Sequence, residues 1–320
     1  MSNSGSSKNY QSESKIKEMY EFHFKKDSSN ISIVKLSGGL KNAVYLLEDG
    51  EEKIVLKIAP VDETKMISAD RGIFWWEAKM LEKMENMKFP APRLLAFDDT
   101  CTICNSPYIF MTYIDGKNFL GEKEKGTLSA EEISNIEYEL GVLSKKITSI
   151  KGESFFFPSQ PTKVFKDNYE FVLNMFSLLI DDAKTCGVDL PEVVYSNIMN
   201  LIHSKSESLK NVKDISLTHT DIWDGNVLVK DGKVAGIVDF SDLYFCDEIL
   251  TFYFHTIDGI TSEHFLSGYN KELNYDEKIR IEIYRMYVIL KMIVDCKLKE
   301  YGRFDWMYQN LDNRMMKLTK

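Results

Sequence analysis

The sequence predicts an α+β protein in two lobes: a small antiparallel-sheet lobe with one main helix, then a larger, mostly helical lobe. Three observations carry this. The chain has 320 residues, about twice a typical domain. From Ile31 to about residue 113 it is dense in short β-rich runs broken by glycine-bearing turns. Beyond Gly116 its apolar residues recur mainly at helical spacing. Residues 1–30 read as a flexible tail and leading helix, 31–113 as the small lobe and 114–320 as the helical lobe.

The elements follow in order. Met1–Ser14 is rich in Ser, Asn and Gly and reads as a tail without the apolar core of a signal peptide. Ile31–Leu36 alternates, then Ser37-Gly38-Gly39-Leu40 breaks the run. Asn42–Leu47 and Lys53–Ile58 flank Asp49-Gly50, which predicts a hairpin. Its second strand carries an isolated lysine, Lys57, on the face of Val55 and opposite Ile54, Leu56 and Ile58. Ser68–Met87 predicts a helix in which Glu77 lies beside the apolar stripe, so that its carboxylate can face the sheet. Phe89-Pro90-Ala91-Pro92 ends that helix. A strand pair around the Cys101–Ser106 loop follows, its second strand, Tyr108–Ile114, almost wholly apolar.

In the second part, Ser129-x-x-Glu132 is a capping box opening a long amphipathic run. Further helices are expected over roughly 165–185, 191–209 and 276–301. One β-island interrupts them: Ile215–Thr218, Asn226–Val229 and Val234–Val238, the last two paired about Lys230-Asp231-Gly232-Lys233. Pairing about that turn sets Asn226 opposite about Ile237, which brings Asp239 to the same open end.

Composition excludes several classes. Apolar residues at 44% and charged residues at 28% exclude wholesale disorder. A net charge of −9 disfavours nucleic acid and anionic membrane as partners, since lysines such as Lys291, Lys297 and Lys299 are interleaved with acids and apolar residues. No stretch reaches the roughly 18–20 apolar residues of a membrane span. Five sparse cysteines suit a reducing cytoplasm, with Cys101 and Cys104 read as a reduced loop pair. Oligomeric state is left open.

The chemistry concentrates in His219-Thr220-Asp221-Ile222-Trp223-Asp224-Gly225-Asn226, an H-x-D-x-x-x-x-N spacing found in the catalytic loops of kinases. Glycine loop, strand lysine, helix glutamate, this loop, a hairpin and Asp239-Phe240 come in order. Phosphoryl transfer demands alignment and charge neutralisation. Lys57 is expected on the α/β-phosphates, with Glu77 holding it. Asn226 and Asp239 are expected to hold Mg²⁺, and Asp221 to orient the incoming hydroxyl and take its proton. Ser37, Gly38 and Gly39 let backbone approach the phosphates. Val55, Met111 and Tyr113 are expected around the base. His219 reads as structural, and Asp224, Asp242 and Asp247 as solvated or capping acids.

From about Ile31 to residue 300 the chain resembles the aminoglycoside phosphotransferase/choline kinase-like family of small-molecule kinases. Leu217–Asp247 and Ile54–Ile58 carry the resemblance, with Phe89–Arg93 and Tyr108–Gly116 looking like the inter-lobe segments. It implies a bilobal protein-kinase-like fold, ATP or GTP as co-substrate and Mg²⁺. It also implies Asp221 as the catalytic aspartate, Asn226 and Asp239 as metal ligands and Lys57 as the phosphate lysine. The chain departs in Thr148, where many relatives have histidine, and in Glu248, where proline commonly follows the aspartate. Acids such as Asp258, Glu263, Glu272, Asp276 and Glu277 point to a cationic, aminoglycoside-like acceptor. The alternatives are a metabolic acceptor (choline, methylthioribose, homoserine or a macrolide) and a non-catalytic nucleotide-binding regulator.

Overall fold

The computed structural model describes residues 8–36, 41–256 and 262–319, the side chains of 253–256 excepted. Ser37, Gly38, Gly39 and Asp258 lie outside the described residues. The small lobe contains α1 (Glu13–Phe24), β1 (Ser32–Lys35), β2 (Ala43–Asp49), β3 (Glu52–Ile58), α2 (Phe74–Asn86), β4 (Leu94–Asp98) and β5 (Tyr108–Thr112). The strands form one antiparallel sheet in the order β1-β2-β3-β5-β4. Its two faces serve different cores. Tyr45, Leu47, Ile54, Leu56, Ile58 and Phe110 turn toward α1, whose Ile16, Met19 and Tyr20 are buried against them. Ser12 caps α1 by accepting from the Lys15 N–H. Even residues 9–11, within the segment read as a tail, are tied in: Asn9 donates to Ser106 Oγ at 2.6 Å and the Gln11 N–H to Tyr45 Oη at 2.7 Å.

The helix expected from Ser68 starts later. Ser68–Asp70 is a separate 3₁₀ turn, Gly72 takes φ +65°, and α2 begins at Phe74. The left-handed glycine cannot continue a helix. Ser68 is also held away, its N–H and Oγ both donating to Asp182 at 2.7 and 2.5 Å.

The large lobe contains β6 (Lys117–Asn118), α3 (Phe119–Lys125), α4 (Ala130–Thr148), α5 (Asn168–Thr185), α6 (Glu192–Ser204) and α7 (Ser206–Lys210). There follow β7 (Ile215–His219), β8 (Val227–Lys230), β9 (Lys233–Ile237), β10 (Leu243–Asp247), α8 (Glu263–Tyr269), α9 (Tyr275–Leu298) and α10 (Asp305–Thr319). The Ser129–Glu132 capping box is formed, and Asn274 with Glu277 makes a second one at α9. α4 and α8 cross so closely that a Cβ on Gly141 or Gly268 would meet backbone oxygen at 2.2 or 2.0 Å. Phe155, Phe157 and Phe252 are core residues, as expected from their clustering. Among the described residues no helix is long and apolar enough to cross a membrane.

Two small sheets place the chemistry. β10 pairs with β7, and β8 is paired on both sides, by β6 and β9. The β8–β9 hairpin is one residue off the expected register: Val227, not Asn226, lies opposite Ile237. A bulge lets Leu228 face Gly236 while Val229 faces Val234, so Ala235 is extra. Asn226 thus leaves the strand and ends a 3₁₀ turn, Asp224–Asn226, but its carbonyl still accepts from the Val238 N–H at 2.9 Å.

Candidate active site

On β3, Lys57 shares a face with Val55, which lies opposite Leu46 on β2 and Met111 on β5. This face looks into the cleft, and Lys57 is buried there rather than at an exposed edge. Its ammonium donates to Glu77 Oε1 and Oε2 at 2.7 and 2.8 Å and to Asp239 Oδ1 at 2.8 Å. Burial works to lower the Lys57 pKa, but Asp239 and Glu77 outweigh it and hold the amine above its ordinary range. Burial pushes Glu77 up. Asp239 feels the same desolvation, yet Lys57 holds it well below the usual carboxylate range, so it stays ionised.

Asp239 follows β9 in the left-handed region, φ 66° and ψ 69°, which re-aims the chain into the 3₁₀ turn Phe240–Asp242. Ser241 Oγ donates to Asp239 Oδ1 at 3.0 Å. Asn226 donates from Nδ2 to the Asp221 carbonyl at 2.9 Å and to Asp221 Oδ2 at 2.7 Å. The loop is fixed from beneath: the Asp221 N–H donates to His219 Nδ1 at 3.1 Å, and the Thr220 N–H to the Asp242 carbonyl at 2.8 Å. His219 is buried against the Phe240 ring, and burial pulls its pKa down to about 4, leaving it neutral. Burial, with Asp242 and Asp239 nearby, raises the Asp221 carboxyl well above its ordinary value.

The structure therefore brings Lys57, Glu77, Asp221, Asn226 and Asp239 to one cleft. Tyr113 stands just beyond β5, where the inter-lobe connector starts, its N–H donating to the Lys53 carbonyl at 3.4 Å. No group of three or more His, Cys, Asp or Glu side chains forms a self-sufficient metal site among the described residues. One ionised carboxylate plus an amide oxygen nevertheless fits Mg²⁺ completed by phosphate oxygens. Asp239 has Oδ2 to offer, and Asn226, its Nδ2 turned to Asp221, has its amide oxygen.

Several acids differ from their expected setting. Asp247 is not solvated: it caps the following 3₁₀ turn, accepting from the Ile249 N–H at 3.2 Å, and is buried, accepting from Arg280 Nε at 2.7 Å and Tyr284 Oη at 2.8 Å. Asp276 accepts from Ser208 and Asn211, while Glu277 serves its capping box and pairs with Lys271. Glu263 and Glu272 are exposed. The two departures from the family pattern meet through Tyr269, whose hydroxyl lies 2.6 Å from Thr148 Oγ1 and donates to Glu248 at 2.9 Å. Lys291 and Lys299, interleaved in the sequence with acids and apolar residues, are largely withdrawn from solvent. Lys291 joins Asp70, Asp242 and Lys41 in an ion cluster that pattern reading missed. Its signal was a lysine one turn beyond Tyr287, inside the apolar stripe of α9.

This two-lobed fold with a lysine–glutamate pair over a catalytic-type loop defines a kinase-like phosphotransferase. A family model described as the phosphotransferase enzyme family (APH) matches residues 32–249, and the chain belongs to that family of small-molecule kinases, which act on hydroxyl acceptors. Comparison with curated proteins finds no match. Among solved structures, the streptomycin–ATP ternary complex of APH(2″)-IIa is similar at 18% identity, covering 96% of this chain and 97% of that one, TM-score 0.62. A protein assigned as a fructosamine-3-kinase from Haemophilus somnus 129PT is similar at 15% identity, covering 95% and 97%, TM-score 0.68. The GDP and kanamycin complex of an APH(2″) enzyme is similar at 15% identity, covering 94% and 97%, TM-score 0.66.

Proposed function

We propose that the protein transfers the γ-phosphoryl group of ATP or GTP to a hydroxyl of a small cationic acceptor, aminoglycoside-like in its charge. The observation that carries this reading is the convergence of Lys57, bound to Glu77 and Asp239, with Asp221 bound to Asn226. Val55, Met111 and the connector at Tyr113 line the base. Lys57 neutralises the α/β-phosphates, held in place by Glu77. Asn226 and Asp239 would hold Mg²⁺, which when bound supplies charge neutralisation along the triphosphate. Asp221 accepts a hydrogen bond from the acceptor hydroxyl and orients it. The hydroxyl oxygen forms its bond to the γ-phosphorus as the bond to the bridging oxygen breaks, and the proton passes to Asp221 late. The raised carboxyl of Asp221 suits that task.

A cationic acceptor is supported by the excess of acid in the chain and by the aminoglycosides bound to similar folds. Phosphorylating such a molecule would make the protein an antibiotic-resistance enzyme. The free cysteines fit a cytoplasmic setting. The test is a coupled nucleotide-consumption assay over a panel of aminoglycosides, choline, methylthioribose, homoserine and macrolides, run with wild type and Asp221→Ala. Turnover with an aminoglycoside that falls roughly 10²–10⁴-fold in the variant supports the reading, whereas turnover with choline alone favours the metabolic alternative. Turnover only with a neutral or acidic acceptor removes the cationic part. Equal background rates in both proteins across the panel favour a nucleotide-binding regulator.

A further inference from the structure

Beyond the machinery just described, an alternating series of charges runs through the cleft. Asp70, in the turn before α2 and only 3% exposed, accepts from two lysines on opposite lobes. Lys41, two residues before β2 on the strand side of the glycine-bearing segment, pairs with Asp70 Oδ2, and Lys291 of α9 reaches Asp70 Oδ1 at 3.4 Å. Lys291 also reaches Asp242 Oδ1 at 3.4 Å. The carbonyl of Asp242 anchors Thr220, whose N–H and Oγ1 both donate to it, at 2.8 and 3.0 Å, one residue before Asp221. Ser241 Oγ, donating to Asp239 at 3.0 Å, ties the same turn to the carboxylate that Lys57 holds. A narrow crevice bounded by Asp70, Ile73, Thr220, Asp242, Tyr287 and Lys291 adjoins this series. The segment that carries Asp70 is anchored on either side: the Ser68 N–H donates to Asp182 at 2.7 Å, and Trp76 Nε1 donates to the Leu243 carbonyl at 2.5 Å.

We propose that Asp70 is a positioning residue for phosphoryl transfer: it ties the exit of the glycine-bearing segment, through Lys41, to the large lobe, through Lys291, and so sets the turn that carries Asp242 and the loop that carries Asp221. A buried carboxylate between two lysines is rigid because removing either partner leaves a charge uncompensated. Alignment is the main thing a phosphotransferase supplies, so a small displacement of Asp221 against Lys57 and Asp239 is costly in rate. The inference rests on the reading of Asp221 given above.

The test uses acceptor-free turnover of Mg·ATP and Mg·GTP, with water in place of the acceptor, together with titration of a fluorescent ATP analogue and thermal melting. Asp70→Asn is expected to slow turnover roughly 10–100-fold while nucleotide affinity is unchanged. Asp70→Glu, which keeps the charge, restores most of the rate. Lys291→Met gives a comparable loss, and the double variant little more, because both cut one series. Wild-type turnover in Asp70→Asn, or losses that multiply in the double variant, overturn the proposal. A rate loss that only follows a parallel fall in melting temperature and nucleotide affinity also overturns it, since that is a general structural effect. If Asp70→Asn does not fold, Lys41→Met and Lys291→Met are read by the same criteria. Full turnover in Asp221→Ala defeats the underlying reading; an inactive Asp221→Ala beside a normal Asp70→Asn defeats only the bridge.

Discussion

The Lys57 ammonium stands 2.8 Å from Asp239 Oδ1, 182 residues away in sequence, while both oxygens of Glu77 lie within 2.8 Å of the same nitrogen. One buried cation thus joins β3, α2 and the end of β9. Removing it leaves two carboxylates facing each other across a desolvated gap.

Lys57→Met is therefore expected to fail twice. Stability should fall by about 3–5 kcal/mol, as for breaking a buried pair from one side, read by chemical denaturation. Nucleotide affinity should fall with it. Lys57→Met combined with Glu77→Gln recovers much of the stability and none of the nucleotide binding, because it removes a stranded charge without restoring a phosphate partner.

Asp239→Asn tests the cation site. The amide keeps the shape but loses the charge that Lys57 stabilises. Turnover in a magnesium titration should half-saturate at a concentration roughly 10-fold or more above wild type, given the usual weight of an ionic ligand. Chelation of divalent cations should abolish turnover in the parent protein. An unchanged magnesium dependence in Asp239→Asn contradicts the assignment.

His219 predicts an acid-sensitive fold. Its pKa is about 4 in the folded protein against an ordinary 6.5. The unfolded chain therefore takes up the proton first, and stability falls as pH drops from about 6.5 toward 4. Between pH 7 and pH 5 this group alone removes about 2 kcal/mol. His219→Asn, which can still accept from the Asp221 N–H, should show less acid sensitivity by that amount in denaturation at the two pH values. Equal slopes would sink the prediction.

Gly268→Ala tests the helix crossing that seats α8. A Cβ there would lie 2.0 Å from the Tyr138 carbonyl oxygen, a backbone atom that cannot swing aside. Destabilisation of at least about 1–3 kcal/mol is expected, with a matching drop in melting temperature. Gly50→Ala, where nothing lies within 4 Å, should cost less, its penalty coming only from φ +62°.

The local pattern of the chain determined a good deal. Alternation and the Asp49-Gly50 turn produced the β2–β3 hairpin, the Ser129–Glu132 box opened α4, and the Lys230–Lys233 turn brought Asn226 beside the exit of β9. These are short-range effects, in which side-chain period, caps and turns act within a few residues. The same logic misjudged what depended on neighbours remote in sequence. Helical spacing predicts a helix from Ser68, but Asp182 and the left-handed Gly72 withdraw Ser68–Gly72 from it. The β8–β9 register shifted at a bulge at Ala235 that no local propensity marks.

Which partner a buried charge finds is decided by the tertiary structure. In sequence, Asp70, Asp242 and Asp247 are ordinary polar residues among many. Whether a carboxylate is solvated, as Glu272 is, or locked between cations, as Asp70 is, depends on which elements the fold lays against it. The cost of desolvating a charge is large enough that partners must be found across the lobes. Only the folded chain decides which partners those are.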